Sequence, residues 1–357
     1  MSKVITVAIG GFGRSGYGIH ANWLRNDPEK FKIVAVADAI AERRQDAVND
    51  FGCEVFEDYK DMLANVKADL FVNATPSRLH VEATLMGFEK GFNVLTEKPS
   101  ATNLEDFDKI VEASKKAGKM LYPFQNSRFY PFFQKILQIV DSGVLGELVF
   151  VRSNWSGFAR RWDWQTLQDE LGGNLLNTGP HPVDQAVVLF GEKYPNVFCR
   201  MFADHPSGGD AENFCTTTLY GEGCPTIEVV LNSFQAYPQG EMYNISGTCG
   251  GLTGGPSGLK WKYFVPEDNP APKLWENWSD DRKYCGETLS WYEESWEYSD
   301  KNSNATGFSG MVRSLYNNLY DVMVNGAEQI IKIEQVRRQI HVMEQSHAQN
   351  PLPKRQK

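Results

Sequence analysis

The order of patterned segments predicts an α/β chain. A doubly wound parallel sheet comes first, then a second, α+β domain on an antiparallel or mixed sheet. Three observations carry that expectation. The first 125 residues alternate short Val- and Ile-rich runs with amphipathic stretches, the rhythm of strand–helix–strand units. Those runs are continuously apolar, as strands covered on both faces must be. After residue 125, strand-like runs follow one another without helical spacing between them, which suits neighbouring antiparallel strands.

In chain order the candidate strands are VITVAI (4–9), KIVAVA (32–37), DLFVNA (69–74) and FNVLTE (92–97), with helical patterns between them such as 78–90 and 103–117. A helix is expected over 129–141, stopped by Ser142-Gly143. ELVFVRSNW, VFCRMFA, CTTTLY, TIEVVLNSF and EMYNISGT then read as strands. Residues 261–300, dense in Trp and Tyr, are expected as an irregular insertion. Helical spacing returns over 311–347, and PLPKRQK is expected as a frayed tail.

The 357 residues, 41% of them apolar, are enough for two domains with real cores. A net charge of −9 offers no electrostatic footprint for nucleic acid. The six cysteines form no C-x-x-C pair, so buried thiols are expected rather than a disulfide framework or zinc site. The strand pattern at the very start leaves no room for a signal peptide, and no apolar run is long enough to span a bilayer. A cytoplasmic protein without a membrane partner is expected. No His/Asp/Glu grouping has metal-ligand spacing, so no metal is expected.

Gly11-Phe12-Gly13-Arg14-Ser15-Gly16 directly follows the first strand. Glycines in a G-x-G-x-x-G run permit a tight turn, close approach to a pyrophosphate and close helix–strand packing. Asp38 ends the second strand, 22 residues after Gly16, where an acid can bind an adenosine ribose. A carboxylate there repels a 2′-phosphate, so NAD is expected over NADP. Arg43 and Arg44 read as a solvated helix face.

The fourth strand ends on Glu97-Lys98-Pro99. Strands of an open parallel sheet deliver their C-terminal ends to the ligand crevice, and proline stiffens the turn. Gly11 to Gly16, this turn, NATPSRLHVEATL (73–85), QNSRFYPFFQKILQIVDSGVLGE (125–147), GGNLLNTGPHPVDQAVVLFG (172–191) and ISGTCGGL (245–252) together resemble the Gfo/Idh/MocA family of NAD(P)-dependent sugar oxidoreductases. The resemblance covers nearly the whole chain.

It implies an NAD-binding Rossmann domain over 1–124. Over 125–357 it implies a substrate and oligomerisation domain with a large open, mostly antiparallel sheet, hence a homo-oligomer. It places Lys98 beside the nicotinamide, often with a cis bond to the proline, and makes His181 the proton acceptor. Thr75, Pro76, Ser77, His80, Glu97 and Gln125 join the cofactor set, and Asn126 the substrate set. The family usually has aspartate where Asn177 stands; asparagine can orient a hydroxyl but cannot raise the basicity of His181 as a carboxylate would.

The chemistry is coherent on its own terms. Oxidising a carbinol needs a base for the hydroxyl proton, which imidazole suits, and a cation for the forming alkoxide, which lysine supplies. Asn177 and His181 stand four apart and Asp184 three further on, so one helical face is expected to carry all three. Arg160, Arg161, Trp162 and Trp164 precede that helix, while Trp261, Trp275, Trp278, Trp291 and Trp296 punctuate the insertion. These rings could stack on sugar faces or bury in cores and interfaces.

The leading expectation is an NAD-dependent dehydrogenase of a sugar or glycoside, with C3 oxidation to a 3-keto sugar as its sharper form. Inositol or polyol oxidation and keto-sugar reduction use the same residues. A dinucleotide-binding sugar sensor without catalysis is the alternative from another class.

Overall fold

The computed structural model describes residues 3–237, 240–276, 282–298 and 307–355. Two sheets organise it. The first has six parallel strands in the order β3-β2-β1-β4-β5-β6: β1 (Ile5–Gly10), β2 (Phe31–Ala37), β3 (Glu54–Phe56), β4 (Leu70–Asn73), β5 (Asn93–Thr96) and β6 (Leu121–Pro123). Val7, Ala8, Ile9, Phe71, Val72, Val94 and Leu95 are fully buried, the two-sided burial that their unbroken apolar runs required. Helices α1 (π-helical over Gly16–Ala21, α-helical over Asn22–Leu24), α2 (Ala41–Phe51), α3 (Tyr59–Asn65), α4 (His80–Glu89) and α5 (Leu104–Ala117) make the crossovers. The short β3 and β6 escaped the sequence reading because three residues carry no periodicity to detect.

The strand order reverses between β1 and β4, so the loops after these two strands splay apart and open a crevice. Asn103 caps α5 by accepting from the Asp106 N–H at 2.8 Å, and Gly118 ends it at φ 61°, the expected start and stop chemistry.

The second sheet has eight strands in the order β14-β13-β12-β11-β7-β10-β9-β8, all neighbours antiparallel except β7 and β10. They are β7 (Leu148–Asn154), β8 (Asn196–Phe202), β9 (Phe214–Tyr220), β10 (Thr226–Asn232), β11 (Tyr243–Gly247), β12 (Gly250–Gly255), β13 (Gly258–Tyr263) and β14 (Tyr292–Glu297). One face packs on α8 (Pro180–Phe190) and α10 (Ile333–Ala348), burying Cys199, Cys215, Leu219, Val229 and Leu231. The other leaves Phe150, Phe198, Phe202 and Tyr220 exposed.

Three expectations change. The insertion is not wholly irregular: its two ends are β13 and β14, paired from Gly258↔Glu297 to Tyr263↔Tyr292. Trp261 and Trp296 pack into the core at that edge, Trp275 and Trp291 are exposed, and Trp278 lies outside the described residues. The 311–347 stretch is two helices, α9 (Gly307–Tyr320) and α10, broken near Gly326, whose φ is 68°. Finally, α7 (Asn174–Asn177) and α8 are separate helices after α6 (Pro131–Asp141), so Asn177 and His181 do not share one helical face.

Both C-terminal helices return to the first sheet's domain. Tyr320 donates to the Lys3 carbonyl at 3.0 Å, Tyr122 to Asn318 at 2.7 Å, and Arg337 pairs with Asp108 at 2.7 Å. Among the described residues, no helix is long and apolar enough to cross a membrane.

Candidate active site

A cleft of about 900 Å³ opens where the first sheet's strand ends face the second domain, a size typical of cofactor sites, roughly 300–1,000 Å³. One end is framed by Gly11, Gly13, Asp38, Ile40, Arg43 and Tyr59, and the other by Lys98, Arg161, Trp164, Gln165 and Asn177.

The glycines divide the work of the turn. Gly11 sits at φ 86°, and a Cβ there would lie 2.3 Å from the Ala74 carbonyl oxygen; one on Gly16 would lie 1.9 Å from the Gly11 carbonyl oxygen. These two close the turn upon itself. A Cβ on Gly13 would meet only the Arg43 guanidinium, at 3.3 Å, so this glycine keeps the cleft floor low. Arg14 and Ser15 line the cleft, while the Phe12 ring is buried between Tyr17 and Phe51. The turn, the Asp38 carboxylate and the long crevice fit a dinucleotide.

Asp38 also has structural work. Its Oδ2 accepts from the Phe12 N–H at 2.7 Å and from Arg43 at 3.3 Å, and its Oδ1 from the Ile40 N–H at 2.9 Å. Arg43 therefore lines the cleft instead of a solvated face, and Arg44 binds the carbonyl oxygens of Asp38 and Ala39.

After β4 the chain runs through Thr75, Pro76, Ser77 and Arg78 along the cleft. The Asn73 side chain fixes this turn, accepting from the Thr75 hydroxyl at 2.7 Å and donating to the His80 carbonyl at 2.9 Å. His80 is buried, with its ring nitrogens 2.8 Å from the Pro99 oxygen and 2.9 Å from the Thr75 oxygen. It ties this turn to the lysine turn. Burial lowers its pKa, against the pull of the Pro99 carbonyl, the Glu97 charge and the Thr75 carbonyl.

Lys98 stands at the end of β5, joined to Pro99 by a cis bond. Its ammonium donates to the Asn177 carbonyl oxygen at 2.6 Å across the cleft. Burial lowers its pKa; Glu97 opposes this, while the charges of Arg14 and Arg161 add to it.

The facing wall is a strap, residues 158–173, followed by α7 and α8. Gly173 sits at φ 104°, and the Glu212 carboxylate passes where a Cβ would be, so only glycine fits. That buried carboxylate then caps α7, accepting from the Leu175 N–H at 2.8 Å. At the far end of α7, Asn177 Oδ1 accepts from Gln165 Nε2 at 2.8 Å. His181 stacks on Trp155 at 6.1 Å between centroids, and its Nδ1 is buried without a partner. Burial, then the Lys98 charge, push its pKa down to about 3 against the pull of Glu97. Its ring is neutral at ordinary pH, next to the cleft lining but not part of it.

Several expected site residues sit elsewhere. Gln125 is buried and donates to Gln339 at 2.8 Å, which in turn holds the Pro180 carbonyl at 2.5 Å; it supports the site helix from behind. Asn126 is also buried outside the cleft lining. Asp184 is fully buried in a two-bond pair with Arg128 at 2.6 and 2.8 Å and does not line the cleft. Trp162 is 83% exposed and does not line the cleft, whereas Arg161 and Trp164 do. Arg161 is forked onto Asp163. None of the described insertion residues reaches the cleft.

The structure adds Arg43, Arg78 and Gln165 to the cleft, and Arg78 pairs with Glu170 of the strap at 2.9 Å. Arg78 and Gln165 lie within segments whose neighbours drew attention, but no spacing rule singles out a glutamine in WDWQ.

Residues 5–125 match a family model described as an oxidoreductase family with an NAD-binding Rossmann fold, and residues 133–253 match that of the Gfo/Idh/MocA C-terminal domain. The chain is 33% identical over 203 residues to a D-glucoside 3-dehydrogenase of Escherichia coli (strain K12), covering 53% of this chain and 55% of that one. It is 24% identical over 251 residues to a scyllo-inositol 2-dehydrogenase (NADP(+)) of Bacillus subtilis (strain 168), covering 69% and 68%. The chain spans only about half the length of the first relatives. An oxidoreductase of Thermotoga maritima shares the fold, with a TM-score of 0.77 at 20% identity and 96% of both chains covered.

Proposed function

Because the chain belongs to the Gfo/Idh/MocA oxidoreductase family, we propose that it moves hydride between a nicotinamide dinucleotide and a secondary hydroxyl or ketone of a sugar or glycoside. The observation that carries this reading is the Lys98 ammonium facing Asn177 across the cleft, with a neutral imidazole beside them. When bound, the nicotinamide accepts or returns the hydride. Gly11 to Ser15 and Asp38 hold the adenosine and pyrophosphate end, and Thr75 to Ser77 the other.

Lys98 spends one N–H on the Asn177 carbonyl and keeps donors for the carbinol oxygen. It orients that oxygen and stabilises its negative charge as the proton leaves. His181 takes the proton, or returns it when a ketone is reduced. Asn177, its amide oxygen held by Gln165, points its N–H groups at a substrate oxygen.

The finer reading is oxidation of a glucose-type sugar or glycoside at C3. It draws support from the D-glucoside 3-dehydrogenase among the relatives. Turnover with NAD across free sugars, O-glycosides, C-glycosides and inositols, with product analysis for 3-keto sugars, tests it. Turnover restricted to inositols, favoured by the inositol-dehydrogenase relative, or to aldose C1 overturns it. A sensor would show no turnover at all. NAD is favoured by the Asp38 carboxylate, with Arg43 softening the exclusion of NADP. A homo-oligomer would cover the exposed Phe150, Phe198, Phe202 and Tyr220.

A further inference from the structure

His20 reads in the sequence as a histidine without chemical company, yet it lies fully buried beneath the cleft. It comes from the π-helical stretch of α1, just past the glycine turn. Its Nε2 is 3.2 Å from Glu97 Oε1, and its Nδ1 is 2.8 Å from the hydroxyl of Tyr316 on α9. The same Glu97 oxygen accepts from the Ser15 hydroxyl, and Glu97 Oε2 accepts from the Lys98 backbone N–H at 3.1 Å. Tyr316 and the Phe124 ring, whose centroid is 4.5 Å from that of His20, close the chamber.

The proton positions follow from chemistry. A carboxylate only accepts, so Nε2 carries a proton, and the tyrosine hydroxyl can donate to a bare Nδ1 or accept from a protonated one. All these groups are satisfied, which matters because an unpaired buried carboxylate is costly. The three elements so joined are the helix of the glycine turn, the lysine turn and a C-terminal helix.

We infer that His20 is a positioning residue for the proposed dehydrogenase reaction: backed by Tyr316, it holds the Glu97 carboxylate so that Ser15 of the glycine turn and Lys98 are set as one unit. The inference rests on the oxidoreductase reading and extends it to a residue that touches neither cofactor nor substrate. Around Glu97 stand Ser15 of the glycine turn, His20 from α1, Lys98 from its own turn, Tyr316 from α9, and the rings of His80 and His181. Burial raises the Glu97 carboxyl. The His20 hydrogen bond and charge, then Lys98 and Ser15, outweigh it and bring it to about 2. Without His20 the burial contribution loses its main opponent, so the carboxyl takes up a proton at higher pH and its grip on Ser15 and Lys98 is lost as pH falls.

NADH binding to the full chain, followed by fluorescence without any sugar, tests this from about pH 8 to about pH 5. Wild-type affinity is expected to be flat. His20→Leu should bind within about threefold of wild type at the alkaline end and about tenfold more weakly at the acid end. His20→Gln, whose amide N–H replaces that of Nε2, should restore the flat profile. A flat His20→Leu profile, or a steep His20→Gln one, overturns the inference. Should His20→Leu fail to fold, Tyr316→Phe carries the test: a smaller acid limb supports the inference, and a flat profile overturns it. Wild-type protein that binds no NADH at any pH overturns the oxidoreductase reading itself.

Discussion

The two walls of the cleft hold their working groups in opposite ways. On the parallel-sheet side, Lys98 follows a buried strand and is anchored through Glu97 to Ser15 and His20. On the other side, Asn177 ends a four-residue helix, is steadied by Gln165 from a strap, and is followed by a break before His181. A regular sheet fixes one wall; loop contacts fix the other. Rigid elements set reacting groups to fractions of an ångström more readily than loops do. Substrate choice is therefore expected to vary through the second wall and catalytic competence to depend on the first.

The largest effect tests the first wall. Lys98→Met should lower kcat by about 10²–10³-fold, the usual cost of losing one charge-stabilising donor, while NADH affinity measured by fluorescence stays within a few-fold. Equal losses of both would mean that Lys98 builds the cofactor site rather than serving the chemistry.

His181 supplies the corresponding test on the second wall through pH. Its pKa of about 3 lies below the ordinary 6.5, so the neutral, proton-accepting form persists as pH falls through neutrality. The pH profile of kcat/KM should show no acid limb near 6.5 that His181→Asn abolishes. The sign for stability is the reverse of a paired histidine: folding favours the neutral ring, so its contribution is full above 6.5 and declines as pH drops toward 3.

The difference between the walls also explains what was legible in the sequence. Gly11, Asp38 and the Lys98 turn could be read because strand–turn–helix units place them by local rules that leave a pattern in the chain. The second wall could not be read the same way. Thr178 and Gly179 interrupt the helix expected to align Asn177 with His181, and Gly179 fits there because a Cβ would lie 2.3 Å from the Leu175 carbonyl oxygen. Asp184 is expected on the same face as the site residues, yet it is fully buried and paired with Arg128, 56 positions earlier. Such long-range pairings leave no local trace, and neither did His20 meeting Tyr316, 296 positions away.

Gln165 offers a smaller, sharper probe of the loop-built wall. Gln165→Leu removes the donor that orients the Asn177 amide and should cost about tenfold in kcat/KM, one buried hydrogen bond's worth. Lys98 still reaches the Asn177 backbone, so the loss should appear in sugar selectivity more than in NADH affinity. A uniform loss across all sugars would show that the amide's orientation does not select substrate. At the adenosine end, Arg43→Ala should raise the preference for NAD over NADP by about fivefold, roughly 1 kcal/mol for a partly exposed charge. Measured as the ratio of the two dinucleotides' affinities, an unchanged value would leave Asp38 alone in charge of the choice.

The smallest effect is expected where the two walls touch. Arg78, from the turn after β4, meets Glu170 of the strap at 2.9 Å, with side chains 50% and 35% exposed. An ion pair this exposed contributes about 0–1 kcal/mol and weakens with salt. Arg78→Ala should therefore change KM for the sugar by no more than about fivefold, leave kcat unchanged, and lose even that difference in high salt. A fall in kcat instead would mean that the strap's closure over the cleft, and not Lys98 alone, sets the reacting geometry. The loop-built wall would then share the catalytic work that the sheet-built one is expected to carry.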